Sequence, residues 1–475
     1  MLLLYKTVIF VFCLIPLPLL AKELPNIIII FIDDMGYADI APFGGEIPTP
    51  HLDRMAKEGR QFTNFITVSP VCSASRAALL TGCLSRRVGI EGALGPRSEI
   101  GLNPAEETIA EVVKKRGYAT AIFGKWHLGH YPEFLPPNQG FDEYFGLPYS
   151  NDMGPGDDAP YKINAPPLRF IEGLTVQDEI VTSEIQDSMT TQYTERAVRF
   201  IERNKDRPFF LYLPHNMVHV PLHVSNKFRE KSGHGLFGDV VQEVDWSVGQ
   251  ILDTIRRLNL EKKTLVVFTA DNGPWISYGS HAGSAKPLRE GKLTSFEGGI
   301  REPTIFWLPE TVPAGTTSDQ LASTIDLLPT IARLIDVPLA GKKIDGKDIR
   351  PLILGTEGAV SPHETIPIYF GFGNGQLQAI RDNRWKLIFP HTYLSFEGKT
   401  GRDDGLSVPY NSVKTELALY DLQKDVEETK DLSSEYPEIV QRLQFAAENY
   451  RKQLGEGKQL GPEVRPPGKH SKEKN

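Results

Sequence analysis

Asp33 and Asp34 are adjacent carboxylates placed directly after the apolar run Ile27-Ile28-Ile29-Ile30-Phe31-Ile32. Asp271-Asn272 repeats the arrangement after Leu265-Val266-Val267-Phe268-Thr269. One such pair reads equally well as helix N-caps. Two pairs, each at the end of a like run, read as oxygen ligands for a hard divalent cation, whose charge offsets the repulsion that would otherwise protonate one carboxylate. Lys125 and His127 follow a third apolar run, 119–123, His215 and His219 follow a fourth, 209–213, and Lys292 sits in Gly291-Lys292-Leu293-Thr294-Ser295-Phe296-Glu297-Gly298-Gly299-Ile300-Arg301. A single lysine or histidine is ordinarily a solvated surface group; a set of them beside one expected edge can hold an anion and move a proton. Cys72-Ser73-Ala74-Ser75-Arg76-Ala77-Ala78-Leu79-Leu80-Thr81-Gly82 joins a lone cysteine, an arginine one helical turn on and an immediate helix start. An unpaired cysteine is usually a small buried hydrophobe, whereas a helix N-terminus favours anions.

These residues need elements to bring them together. All four apolar runs are continuous rather than alternating, which predicts strands covered on both faces and hence a parallel sheet flanked by helices. In such sheets ligands bind beyond the carboxyl ends of the strands, where all four polar clusters fall. Asn103-Pro104 offers an N-cap with proline at the first helical position, Ile109, Val112 and Val113 form an apolar face, and Gly117 closes that helix. Further helices are expected over about 191–204, 240–258 and 323–335. The alternation predicts a three-layer α/β sandwich with a large, mostly parallel central sheet over 22–358. Around 354–362 the rhythm stops. Short antiparallel strands at 366–370, 378–381, 385–389 and 417–422, then a helix over 436–454, predict a smaller C-terminal α+β domain over 359–455. The proline- and lysine-bearing tail 456–475 reads as disordered.

With 475 residues, 40% hydrophobic and 24% charged, the composition is globular and sufficient for one large domain and a smaller one. The net charge of -8, with no dominant basic stripe, argues against nucleic acid as a partner. Residues 1–21 have the form of a signal peptide: Lys6, then an apolar stretch interrupted by Pro16 and Pro18, too short to span a bilayer comfortably. Cleavage after Ala21 and export to a periplasmic or secreted location are expected, with no stable membrane anchor. Of three cysteines, Cys13 leaves with that segment. A Cys72–Cys83 bridge is conceivable on export, but it would join the two ends of a helix ~16 Å apart.

The Cys72 run resembles the modification motif of type I sulfatases, Cys-x-Pro/Ala-x-Arg followed by Leu-x-Thr-Gly, with Ala74 in the Pro/Ala position. Gly124-Lys125-Trp126-His127-Leu128-Gly129, the Lys292 segment and His219-Val220-Pro221 match further signatures of that family, which belongs to the alkaline phosphatase superfamily. Tyr149-Ser150-Asn151-Asp152-Met153-Gly154-Pro155 is similar to the arylsulfatase A and galactosamine-6-sulfatase branch. The resemblance runs from Asn26 to Leu422. It implies a metal site of Asp33, Asp34, Asp271, Asn272 and the modified Cys72, holding one cation, commonly calcium with magnesium as a second option. It also implies oxidation of Cys72 to formylglycine by a maturing enzyme, which would leave Cys83 a free thiol. The hydrated aldehyde then offers one hydroxyl to attack sulfur and a second through which sulfate is expelled. By the same resemblance Arg76 fixes the diol, His127 is the base, Lys125 and Lys292 neutralise sulfate oxygens, His219 or Lys292 protonates the leaving oxygen, and Ser150 contacts the sulfate. The family usually has arginine where this chain has Cys83.

The activity so implied is sulfuric ester hydrolysis of a sulfated carbohydrate or aryl sulfate. Phosphodiester or phosphonate ester hydrolysis on the same scaffold is the enzyme alternative, and a catalytically silent glycan-binding protein the alternative of another class. Specificity is expected in loops near 150–175, 228–239, 274–290 and 381–391.

Overall fold

The structure, a computed structural model, describes residues 23–154, 165–371 and 374–471. The signal-peptide expectation over 1–21 lies outside the described residues, and no described helix is long and apolar enough to cross a membrane.

Four strands form the middle of the molecule: β1 (Asn26–Ile32), β2 (Ala119–Phe123), β3 (Phe209–Pro214) and β4 (Thr264–Ala270). They lie side by side in the order β4-β1-β3-β2, all parallel, and every residue in them is buried. Side chains alternate between two cores. Ile28, Ile30 and Ile32 of β1 enter one, with Tyr193 and Phe200 from the helix Met189–Arg203 and Val244 and Ile251 from the helix Gly235–Arg257. Ile27, Ile29 and Phe31 enter the other, with Leu79 and Leu80 from the helix Cys72–Thr81 and Leu328 and Ile331 from the helix Leu327–Leu334. Each such fully buried apolar side chain contributes ~1.5–3 kcal/mol, which is why these runs are dominated by apolar residues and carry no charge until the strand ends.

The full sheet has ten strands among the described residues. Glu143–Gly146 extends the parallel set beside β2. The flanks are mixed: Thr304–Trp307 runs antiparallel to β4 and to Arg60–Phe62, Thr316–Ser318 pairs parallel with Arg60–Phe62 at that edge, and the antiparallel hairpin of Arg169–Glu172 and Thr175–Ile180 forms the far edge. The expected α/β sandwich is thus present with a mixed rim. One expected helix start moves. Asn103-Pro104 forms a turn, with Ala105 N–H donating to Asn103 Oδ1 at 3.0 Å, and the helix is Ile109–Lys114. Thr108 caps it, exchanging hydrogen bonds with Glu111 in a capping box that Asn103 cannot form from five residues upstream.

The second sheet, Ile366–Phe370, Gln376–Arg381, Trp385–Ile388 and Ala418–Asp421, is antiparallel throughout, and the helix Pro437–Leu454 packs on it. Its core includes Ala78, Phe296, Ile300 and Ile325 from the larger part, so the two parts share one apolar seam. The expectation of a disordered tail is overturned through residue 471. Gly468–Lys469 pairs with Ile100–Gly101, Arg465 pairs with Glu106 at 2.7 Å, and His470 stacks on Tyr131 with ring centroids 3.6 Å apart. Proline and lysine composition reports a weak intrinsic preference for order, and these contacts supply the missing attraction.

Candidate active site

Register assembles the floor of the site. Ile32 is paired with Ala270, so Asp33 and Asp271 leave adjacent strands side by side, and Asp271 N–H donates to Ile32 O at 3.0 Å. Asp34 then adopts a left-handed conformation, φ 57°, and its N–H donates to Asp271 Oδ1 at 3.1 Å. His127 (φ 61°) and Leu293 (φ 70°) share that uncommon conformation. Backbone of this kind costs ~1–3 kcal/mol per residue and persists where the surroundings over-determine it. Gly273 lets the Asn272 turn meet the segment behind Lys292, since a Cβ there would lie 1.8 Å from Gly298 O.

The helix Cys72–Thr81 begins at the site, and its N-cap, Val71, provides no side-chain acceptor. Its first N–H groups therefore remain available to an anion. Cys72 Sγ lies 3.2 Å from Lys292 Nζ and 3.9 Å from Asp34 Oδ1. Lys292 Nζ also donates to both Asp34 oxygens, at 2.6 and 2.7 Å. Lys125 Nζ donates to Asp33 Oδ2 at 2.5 Å and to Ser150 Oγ at 3.1 Å. The Arg76 guanidinium donates to Asp271 Oδ2 at 3.0 and 2.8 Å and to Lys125 O at 3.1 Å, and among the described residues no hydrogen bond joins it to the unmodified Cys72. A fully buried arginine thus holds two carboxylates in place, Asp271 and, at 3.4 Å, Asp33.

The electrostatics follow from this crowding. Burial alone would raise Asp33, but Lys125, His219 and Arg76 hold it well below the usual carboxylate range. Burial and the charge of Asp33 push Asp271 up to about 7. Burial raises the Cys72 thiol well above its ordinary value despite Lys125 and Lys292, so the unmodified side chain is a neutral thiol. Burial, then Lys125 and Arg76, lowers His127 far below the usual imidazole range, and neither ring nitrogen has a hydrogen-bond partner among the described residues. His127 is a neutral imidazole in reserve. His219 places Nδ1 2.5 Å from Val220 O, which assigns the proton to Nδ1 and leaves Nε2 bare, 3.5 Å from Asp34 Oδ2.

Asp33, Asp34, Cys72 and His219 each bring a ligand atom within 4.8 Å of the others. Two further observations fit a hard cation here. Asp33 Oδ1 and Asn272 Oδ1 are buried without a hydrogen-bond donor, while Asn272 Nδ2 donates to Asp34 Oδ1 at 2.8 Å and so turns that oxygen's face inward. The set differs from the sequence expectation in two respects. His219 joins it, and both Asp271 oxygens are already engaged, by Arg76 and by Asp34 N–H.

Above this floor opens a cavity of about 980 Å³. Cys72, His127, Ser150, His219 and Lys292 line it together with the apolar side chains of Trp275, Leu293, Phe370 and Tyr410. Asp152 lines it as well, 5% exposed, with Oδ1 accepting no hydrogen bond among the described residues. Asp152 and Trp275 fall in the expected specificity loops 150–175 and 274–290, but no signal at the level of single residues set them apart there. Two expected specificity loops are not at the wall. Residues 228–239 do not line the cavity, and the C-terminal contribution comes from Phe370, Leu394, Arg402, Leu406, Ser407, Pro409 and Tyr410, outside the expected 381–391.

The pattern that defines the family "Sulfatase" matches residues 25–337, and that of the "C-terminal region of aryl-sulfatase" matches 361–468. The chain belongs to the sulfatase family. This sulfatase is 38% identical to arylsulfatase A of Homo sapiens over 441 residues, covering 88% of this chain and 86% of the relative. It is 37% identical to the N-acetylgalactosamine-6-sulfatase of Canis lupus familiaris over 465 residues, covering 92% and 88%. A solved structure described under the metabolism of multiple glycosaminoglycans by Bacteroides thetaiotaomicron superposes with a TM-score of 0.76 at 28% identity, covering 90% of this chain and 100% of its own. Sulfuric ester hydrolysis is accordingly the activity of this enzyme.

Proposed function

We propose that this sulfatase cleaves sulfate from a sulfated carbohydrate, using a formylglycine made from Cys72 and one divalent cation, calcium ahead of magnesium. The observation that carries the reading is the position of Cys72. It is the first residue of a buried helix, beside Lys292 and Asp34, yet burial keeps its thiol protonated, so a thiolate is the wrong nucleophile for this pocket. Asp33, Asp34, Asn272 and position 72, with Asp271 or His219, would hold the cation, and hard oxygen donors of adaptable number favour calcium. The modified side chain, hydrated, supplies one hydroxyl to attack sulfur and a second whose deprotonation releases sulfate, and the cation supplies charge that favours ionisation of the first.

The chain's own residues do the rest. Lys125 and Lys292 present ammonium groups to sulfate oxygens, with Ser150 holding Lys125 at 3.1 Å. Neutral His127 takes the proton in the release step. Lys292, an ammonium 3.2 Å from position 72, protonates the departing alcohol, while His219, its ring fixed by Val220 O, presents a bare Nε2 beside Asp34. Arg76 keeps Asp271 and Asp33 in register with the helix that carries position 72. The ring faces of Trp275, Phe370 and Tyr410 suit a sugar, and Asp152 suits a hydroxyl or amide N–H donor near the ester. The resemblance to an N-acetylgalactosamine-6-sulfatase agrees with such a substrate. Residues 1–21 would direct export, and a formylglycine-generating enzyme would act before folding buries Cys72.

Protein made alongside a sulfatase-maturing system should hydrolyse 4-nitrophenyl sulfate and release inorganic sulfate from sulfated glycosaminoglycan fragments, with weak turnover of bis(4-nitrophenyl) phosphate. A preference for the phosphodiester would favour the alternative chemistry on this scaffold. Sulfate binding with turnover of neither ester would favour the silent binder.

A further inference from the structure

Lys292 does not sit on a strand or helix. It lies in the segment 289–301, and the structure anchors both sides of that segment from the C-terminal part of the chain. On the near side Glu290 Oε1 accepts from Ser395 Oγ at 2.5 Å and Glu290 Oε2 from Phe396 N–H at 3.0 Å. Arg289 donates to Glu428 O at 3.1 Å and to Tyr393 Oη at 3.1 Å. On the far side Ser295 Oγ donates to Gln378 Oε1 at 2.7 Å. Glu297, fully buried, accepts from Arg381 at 2.6 Å and from Lys386 Nζ at 3.1 Å, and its N–H donates to Glu428 Oε2 at 2.6 Å. Lys386 also pairs with Glu428 at 2.9 Å.

Glu297, Glu428, Arg381 and Lys386 are all fully buried. Four buried charges are a poor source of stability, because each loses several kcal/mol of hydration that pairing only restores, and apolar replacements of similar volume are often neutral or better. Their value lies in geometry: directional bonds from a second sheet fix a segment that has no ladder of its own. Between the two anchored sides, Leu293 turns through φ 70° and Lys292 N–H donates to Pro274 O at 2.9 Å, which points Lys292 Nζ at Asp34 and position 72.

We infer that Lys386, Arg381 and Glu428, acting through Glu297, are positioning residues for Lys292, so that the C-terminal part sets the sulfate-binding charge of the active site. This rests on Lys292 holding sulfate oxygens. The test compares binding of inorganic sulfate by calorimetry, and kcat and KM for 4-nitrophenyl sulfate, in Lys386→Met and in Ser295→Ala/Ser395→Ala, each made both in the unaltered chain and with Lys292→Ala. The serine pair removes two anchoring hydroxyls without stranding a buried charge, so it remains readable where Lys386→Met fails to fold.

In the unaltered chain either change should weaken sulfate binding and raise KM by about tenfold, and with Lys292→Ala present the same change should have less than about a twofold effect. Lys386→Arg should recover most of the loss. Equal losses in both backgrounds, no loss in either, or no sulfate binding by the unaltered protein overturns the inference. Sulfate binding does not need turnover, so a folded chain that binds sulfate but leaves aryl sulfate intact tells against the catalytic reading alone.

Discussion

At the floor of the cavity Asp33, Asp34 and Asp271 face Lys125, Lys292 and Arg76, and every one of these side chains is at least nine-tenths buried. Beside them His127 and Asp152 hold buried polar atoms that nothing in the described protein satisfies, a state that costs ~1–3 kcal/mol per group and points outward to a ligand. His127→Ala should leave a rapid release of one alcohol per matured chain while steady turnover falls ~10²–10⁴-fold, since its neutral imidazole serves the release step. Stopped-flow absorbance with 4-nitrophenyl sulfate checks this, and loss of the initial burst together with turnover would place His127 earlier. Asp152→Ala should lower kcat/KM for a sulfated sugar about tenfold, the worth of one hydrogen bond to a charged group, while leaving 4-nitrophenyl sulfate unaffected because that ester has no neighbouring hydroxyl. Equal losses on both substrates would assign Asp152 to the floor of the site instead. Asp33, Asp34, Lys125, His127, Asp271 and Asn272 were legible because each follows an apolar run that no core would end in that way. Asp152 was not: its burial and lack of a donor arise from contacts spread across the fold.

The elements that were legible are those whose sequence states burial on both sides. β2, Ala119–Phe123, falls on the expected residues, β1 and β3 differ from expectation by a residue at one end, and β4 by a residue at each end. Arg60–Phe62 and Thr316–Ser318 were not foreseen, because three residues with polar members carry no period. β3 also has a built-in sensitivity to acid. Just beyond it His215 Nε2 lies 3.1 Å from Ser247 Oγ, and Ser247 lies 2.6 Å from Thr194 Oγ1, tying the strand to two helices. Burial pushes His215 from the ordinary 6.5 down to about 3. Below about pH 6.5 the unfolded chain takes up a proton that the folded chain refuses. Stability is therefore complete above that value and declines as pH falls toward 3, by on the order of a few kcal/mol. His215→Gln, which keeps a polar atom near Ser247, should flatten this decline. Urea midpoints of both proteins from pH 7 to pH 4 measure it, and parallel slopes would exclude His215 as the cause.

Across the whole molecule, the catalytic sheet and the C-terminal sheet share an apolar seam, and the last described residues close back on the larger part. Composition favoured disorder for that tail, because proline and lysine lower the prospect of burial. It could not reveal that Arg465 meets Glu106, a carboxylate only 4% exposed, with bonds of 2.8 and 2.7 Å. Arg465→Ala should cost about 2 kcal/mol by stranding that carboxylate, seen as a lower urea midpoint at pH 7. An unchanged midpoint would mean that the tail lies on the surface without supporting it. Cys83 shares this junction, 3.2 Å from Arg465.

The proposed chemistry depends on what the side chain at position 72 carries. Mass spectrometry of the tryptic peptide Gln61–Arg76, from protein produced with a sulfatase-maturing system, reports what occupies position 72. The expected mass is that of an aldehyde in place of the thiol, in a fraction that tracks specific activity across preparations. A fully intact cysteine in protein that nonetheless hydrolyses sulfate esters would contradict it.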